Sequence, residues 1–231
     1  MTSLAIILIL IAAFFHATWN LLAKRAGGGA VFIWLISALA AAIYAPLAVA
    51  IIVLRQPRIG AIQLLFMAGS TILQLVYYLL LQRGYRVGDL SLVYPLARGT
   101  GPMLSTIAAI ILFGERPTPL ALSGAVLIAI SVFVLAGEPG KLRGLGARRA
   151  VGYGIATGIT IAAYTLWDKH AVSALLVPPL VFDWSTSVGR TALLAPLALR
   201  RWEEVRREWR THRREALGVA VLSPLAYILV L

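Results

Sequence analysis

Apolar residues in this chain come in long runs, separated by short clusters of glycine, proline and charge. Several runs reach about 20 residues, the length of a helix that crosses a bilayer. They lack the two-residue alternation of a membrane β-barrel. The pattern predicts an all-α polytopic membrane protein with eight spans, at about 3–23, 30–53, 62–82, 92–113, 119–136, 150–167, 178–199 and 216–231. Most connections are short, so neighbouring helices are expected to pack antiparallel. Gly137–Ala150 (GEPGKLRGLGARRA) is the most linker-like piece. Arg200–Glu215 is mostly charged, with Trp202, Val205 and Trp209 three and four residues apart. That narrow apolar stripe predicts a helix lying on the headgroups.

The run from Leu92 to Phe113 is unlike the others. Its segment Tyr94–Pro102 (YPLARGTGP) holds an arginine, two prolines and two glycines. An arginine in hydrocarbon costs roughly 3 kcal/mol on insertion scales, so Arg98 is expected to face a partner or a water-filled cavity, or else to snorkel to the surface. Each proline removes a backbone donor, and Gly99 and Gly101 permit a bend or close packing. The stretch predicts a broken, charged helix on a transport pathway.

Composition strengthens the membrane reading. Of 231 residues, 60% are hydrophobic, and the mean hydropathy is +0.88. Cysteine is absent, so there is no disulfide framework, haem attachment or Cys-ligated zinc. Three scattered histidines argue against a metal site. The net charge of +12 would suggest nucleic acid in a soluble protein. Here the charge collects between spans, where the positive-inside rule accounts for it, so nucleic acid is not an expected partner. The N-terminus lacks a basic leader and a cleavage site, and reads as a retained first span.

An internal repeat organises the chain. Ala17–Ala26 (ATWNLLAKRA) matches Ala162–Ala171 (AAYTLWDKHA) at an offset of 145. Phe32–Ala48 matches Phe182–Ala198 at an offset of 150, with eight identities in 17 ungapped positions. These include Phe32/Phe182, Trp34/Trp184, Ser37/Ser187 and the shared Ala-Pro-Leu-Ala that closes both segments. Spans 6 and 7 therefore repeat spans 1 and 2. The organisation expected is a first repeat over 1–137, a linker over 138–149 and a second repeat over 150–231. Five spans is an odd number, so the halves insert with opposite orientation. The second half shows two spans and 16 apolar residues of a third. This predicts a chain lacking the rest of span 8 and the counterparts of spans 4 and 5.

His16–Asn20 (HATWN), Lys24, Ser91–Pro95 (SLVYP) and Gly114-Glu115-Arg116 before span 5 resemble the drug/metabolite transporter superfamily in its EamA-like branch. The resemblance implies ten helices as two inverted five-helix repeats. It also implies a secondary transporter of small organic metabolites, amino-acid-like or otherwise small and in some cases anionic, working by alternating access. In the related small multidrug resistance proteins, a first-helix glutamate eight residues before a lysine carries the coupled proton. Here His16 stands eight residues before Lys24. Its imidazole is a proton-coupling candidate, and the alternative is a hydrogen-bonded contact between helices.

The candidate substrate-binding residues follow from position. His16, Trp19 and Asn20 share one face of span 1 at i, i+3 and i+4. Trp19 could equally belong to an interfacial aromatic belt. Gln74 and Tyr78 share a face of span 3, and Gln74 is deep enough to need a partner. Tyr94 and Arg98 come from span 4, and Trp184 and Arg190 from span 7. Asp183 and Arg190 are seven residues apart, too far for a direct bond along one helix, so each is expected to pair elsewhere. Two buried arginines with few buried acids suggest a carboxylate-bearing substrate. Lys24, Asp168, Lys169 and His170 read as solvated helix ends. Glu115 reads as a turn residue, with Pro117 or Pro119 opening span 5.

Partners expected are a small-molecule substrate, the lipid bilayer and, as a candidate, a second copy of the chain. The location expected is the plasma or inner membrane. No Walker A sequence occurs, so ATP is not the direct energy source, and no cofactor is implied. A membrane-embedded enzyme or accessory subunit acting on lipid-linked substrates is the competing class. It fits less well because the nine acidic residues form no paired carboxylate motif. Orientation has two conflicting indications. Loops after spans 1, 3, 5 and 7 hold 15 Lys and Arg against four after spans 2, 4 and 6, which places the N-terminus outside. The resemblance places it inside.

Overall fold

The computed structural model describes residues 3–27, 29–88, 90–114, 116–136 and 145–229. Among these the chain is all-helical. The helices are α1 (Ser3–Arg25), α2 (Ala30–Arg55), α3 (Ala61–Val87), α4 (Leu90–Phe113), α5 (Pro119–Ala136), α6 (Leu145–Ser173), α7 (Pro179–Arg200) and α8 (Trp202–Ile228). Pro119 opens α5, as the sequence allows. Glu115 and most of the expected linker, residues 137–144, lie outside the described residues.

Ile6–Arg25, Ala30–Arg55, Ala61–Val87 and Gly146–Ser173 are each long and apolar enough to cross a membrane. The polar run Ser185, Thr186, Ser187, Arg190 and Thr191 lowers the hydropathy of α7. The charged first half of α8 does the same there.

Three boundaries differ from the sequence reading. First, α6 starts at Leu145, inside the piece read as linker, and runs on to Ser173. The glycines and arginines there looked like loop. Instead Gly146 sits against the Val87 carbonyl, and Ala150 is fully buried against Gly88. Second, α4 is an unbroken helix through Pro95 and Pro102. The hydroxyls of Ser105 and Thr106 both donate to the Pro102 carbonyl one turn back. Third, the charged segment and the last span form one element with a kink at His212, whose backbone is non-helical. Its apolar stripe is not all turned to headgroups. Val205 is buried with Val31 and Ala198, and Trp202 meets Trp34 edge-on at 6.2 Å. Trp202 and Trp209 keep exposed surface.

The chain forms two compact units, Met1–Ile72 with Lys169–Leu231, and Leu73–Asp168. In the first, α2 packs on α7, and α8 packs on α1, α2 and α7. The repeat-related helices α2 and α7 run antiparallel and meet through repeated residues. Phe32 and Phe182 are both fully buried, as are Ala48 and Ala198, and Ser37 and Ser187. Gly189 of α7 lies so close to α3 that an added Cβ would come within 2.6 Å of the Thr71 hydroxyl. Tyr44 donates to the Val221 carbonyl at 2.7 Å, fixing α8 to α2.

In the second unit α4 packs on α5. It also crosses α6 through glycine. A Cβ on Gly158 would meet the Thr100 Cβ at 2.6 Å, and one on Gly101 would meet Ile161 at the same distance. Small residues at a helix crossing let backbones approach closely. Here the crossing brings the Arg98 turn of α4 against the Tyr164 turn of α6.

Candidate functional site

The nine candidate residues fall into two sets. In the unit of residues 73–168, Arg98 lies among tyrosines. Its Nη2 donates to the Tyr77 hydroxyl at 2.9 Å. Its guanidinium carbon stands 5.8 Å from the Tyr77 ring centre and 5.7 Å from that of Tyr94. The Tyr164 hydroxyl also hydrogen-bonds Arg98, and Tyr85 is an electrostatic neighbour. Tyr77 packs on Tyr78 at 4.9 Å and on Tyr164 at 5.6 Å between ring centres. Aromatic faces and phenol oxygens thus surround the guanidinium. The arrangement answers the cost of an arginine inside a span.

Gln74 has the partner its depth demanded. Its Nε2 donates to Asp168 Oδ2 at 3.2 Å. Asp168 is fully buried, not a solvated helix end. The expected span stopped at 167, whereas α6 continues for another turn and a half. Tyr164 and Asp168 are four residues apart on α6 and interact electrostatically. The site thus carries a cation and an anion that both interact with Tyr164. Tyr77, Tyr85, Tyr164 and Asp168 are absent from the sequence-derived set. The repeat held one signal, since it aligns Tyr164 with Trp19.

The second set lies in the other unit. On α1, Trp19 is buried and its Nε1 donates to His16 Nδ1 at 3.3 Å, with the rings edge-on at 5.1 Å. Asn20 Nδ2 donates to the His16 carbonyl at 2.7 Å. The predicted face therefore forms, closed around His16. On α7, Arg190 is buried and makes three side-chain hydrogen bonds: Nε to Ser37 Oγ at 3.3 Å, Nη1 to Thr186 Oγ1 at 3.2 Å and Nη2 to Ser187 Oγ at 3.0 Å. It reaches another helix, as expected. Trp184 donates to the Ala41 carbonyl at 2.9 Å. Both residues serve the α2–α7 contact. Asp183 is buried next to Trp184 in sequence, so the described residues include two buried acids, Asp168 and Asp183, beside the buried Arg190 and the partly buried Arg98. His170, also read as solvated, stacks on Phe66 at 5.3 Å.

Long apolar helices packed through glycine, with a caged arginine in one of them, define an integral membrane protein with a polar interior site. The chain belongs to the EamA-like transporter family, whose sequence model matches residues 3–137, the stretch that forms α1 to α5. That family lies within the drug/metabolite transporter superfamily, and its members are membrane transporters of small molecules. No curated protein and no solved structure matches the chain.

Proposed function

We propose that this chain is a secondary transporter of small organic metabolites that works by alternating access in the plasma or inner membrane. We further propose that its substrate is amino-acid-like. Residues 1–137 and 150–231 are its two repeats. The observation that carries this reading is the Arg98 ring. A guanidinium is the side chain best suited to bind a carboxylate, and the tyrosine hydroxyls around Arg98 can share such a ligand. Asp168, which also interacts with Tyr164, supplies the complementary charge for an ammonium group. Tyr78, Tyr94 and Gln74 line and orient. His16, Trp19 and Asn20 form a second polar face, with His16 as the proton-coupling candidate.

Flux into proteoliposomes tests the proposal. The full chain should take up labelled amino acids in exchange for internal amino acid, and Arg98→Ala should abolish uptake while the protein still elutes as a folded species. Absence of flux from the wild-type chain with any carboxylate-bearing substrate, or full flux in Arg98→Ala, defeats it.

A further inference from the structure

A groove of roughly 440 Å³ lies along α3 and α6, within the unit of residues 73–168. Leu80 and Val87 form one wall, and Arg149, Gly152, Tyr153 and Ala156 form the other. Each set sits on a single helical stripe, at i, i+7 and at i, i+3, i+4, i+7. Seven residues of helix give the groove a length of about 10 Å. None of its lining residues belongs to the tyrosine ring around Arg98.

The groove is closed behind by tight packing and open in front. Gly84 sits against Val93 and Tyr153, where an added Cβ would come within 2.7 Å and 3.2 Å of their side chains. Gly152 is the opposite case: a Cβ there would meet nothing within 4 Å. Its lack of a side chain is what keeps the slot clear.

One end is cationic. Arg149 is exposed at the mouth beside the equally exposed Arg148. The contacts of Gly146 with the Val87 carbonyl and of Gly88 with Ala150 bring the last turn of α3 to the same end. That turn carries Arg86, with Arg83 in the turn before it. The other end, at Leu80 and Ala156, is apolar. Tyr153 lies between, with an apolar ring and a polar tip.

Both helices contain stretches long and apolar enough to cross the bilayer. An apolar slot on such helices that ends in arginines complements an acyl chain with a phosphodiester head. A free phosphate would leave the apolar length unused. We propose that this groove binds an anionic phospholipid, with an acyl chain along Leu80, Gly152 and Ala156 and the headgroup phosphate at Arg149.

The test uses the full chain in nanodiscs of phosphatidylcholine with added phosphatidylglycerol. Retained lipid is counted by native mass spectrometry after extraction. The wild-type chain should retain phosphatidylglycerol in preference to phosphatidylcholine. Arg149→Gln should lower that retention by about fivefold, the worth of one basic residue near an anionic headgroup. Gly152→Leu should lower it to background with the elution profile and melting temperature unchanged, because the added side chain enters open space. Equal retention of the two lipids overturns the proposal, and so does undiminished retention in Gly152→Leu. Displacement of the retained lipid by inorganic phosphate also overturns it, in favour of a site for small soluble anions.

Discussion

Trp34 and Trp184 make the same hydrogen bond from opposite sides of one interface. Trp34 Nε1 donates to the Thr191 carbonyl at 3.1 Å, and Trp184 Nε1 donates to the Ala41 carbonyl at 2.9 Å. Donors and acceptors are both related by the repeat offset of 150, so α2 and α7 meet across a pseudo-two-fold axis as a self-complementary pair. Ser37 and Ser187 are likewise related, and Arg190 bonds to both. Its counterpart in α2 is the buried Ala40. The paired tryptophan bonds and the two serines follow the axis, whereas Arg190 faces a small counterpart and its partner Thr186 corresponds to Ile36.

This symmetry predicts a rescue. Arg190→Ala removes three hydrogen bonds and leaves three hydroxyls at a buried contact. Its cost should be on the order of 2 kcal/mol, the upper end for polar contacts between membrane helices. Moving the arginine across the axis, in Ala40→Arg with Arg190→Ala, should recover at least half of the lost melting temperature, because Ser37 and Ser187 remain in place. Ala40→Arg alone should destabilise through two opposed arginines. A double variant no more stable than Arg190→Ala would show that the axis does not hold at this residue.

How far the sequence reached depended on whether a feature is periodic. Among the described residues, each apolar run read from the sequence falls in a helix, because long apolar runs need no tertiary knowledge. The repeat was visible because the residues at the α2–α7 contact, Phe32, Trp34 and Ser37 with their counterparts, are held to shape by the same packing. Asp168 was misread because its helix outlasts its apolar run. A charge after the last apolar residue looks solvated unless its partner, Gln74, 94 residues away, is known to reach it. Pro95 and Pro102 suggested a break for a similar reason. Sequence shows the missing donors but not the neighbouring helices that hold α4 straight. Tyr164 joins the Arg98 ring because Gly101 and Gly158 let α4 and α6 touch, and Tyr77 joins it from α3, relations no single helix pattern carries.

The glycine crossing gives a contrast in one helix. Gly158→Leu must push Thr100 away and separate α4 from α6, with an overpacking cost of about 1–3 kcal/mol. It should also lower transport by displacing Tyr164 from Arg98. Gly152→Leu, six residues earlier on α6, faces open space and should leave the melting temperature within about 0.5 kcal/mol of wild type. Thermal unfolding in detergent compares them directly, and equal shifts would contradict the crossing geometry.

Topology is decided by where the arginines lie. Most Lys and Arg cluster at positions 24–25, 83–86, 141–149 and 200–214, after the first, third, fifth and seventh apolar runs, so reporter fusions after residue 143 should be cytoplasmic and fusions after residue 57 should lie on the far side. The reverse pattern would mean that the EamA-like inheritance of an internal N-terminus outweighs the charge bias.

Arg98 and Asp168 should divide the recognition of a zwitterion between them. Asp168→Asn keeps a side-chain acceptor for Gln74 and removes only the charge. If Asp168 receives the substrate's ammonium, this variant should lose about tenfold or more in uptake of an amino acid, in line with roughly 1.5–3 kcal/mol for a hydrogen bond to a charged group. Its uptake of the same carbon skeleton lacking the amine should stay within a factor of two or so, since the Arg98 end is untouched. Arg98→Ala should lose both, and Tyr77→Phe, which takes one acceptor from the guanidinium, should fall between in KM with a smaller change in kcat. Competition assays with paired amine and des-amino substrates separate these outcomes. An Asp168→Asn chain that loses both substrates equally would make the carboxylate a support for Gln74 and the fold, and would leave Arg98 as the sole charged contact of the site.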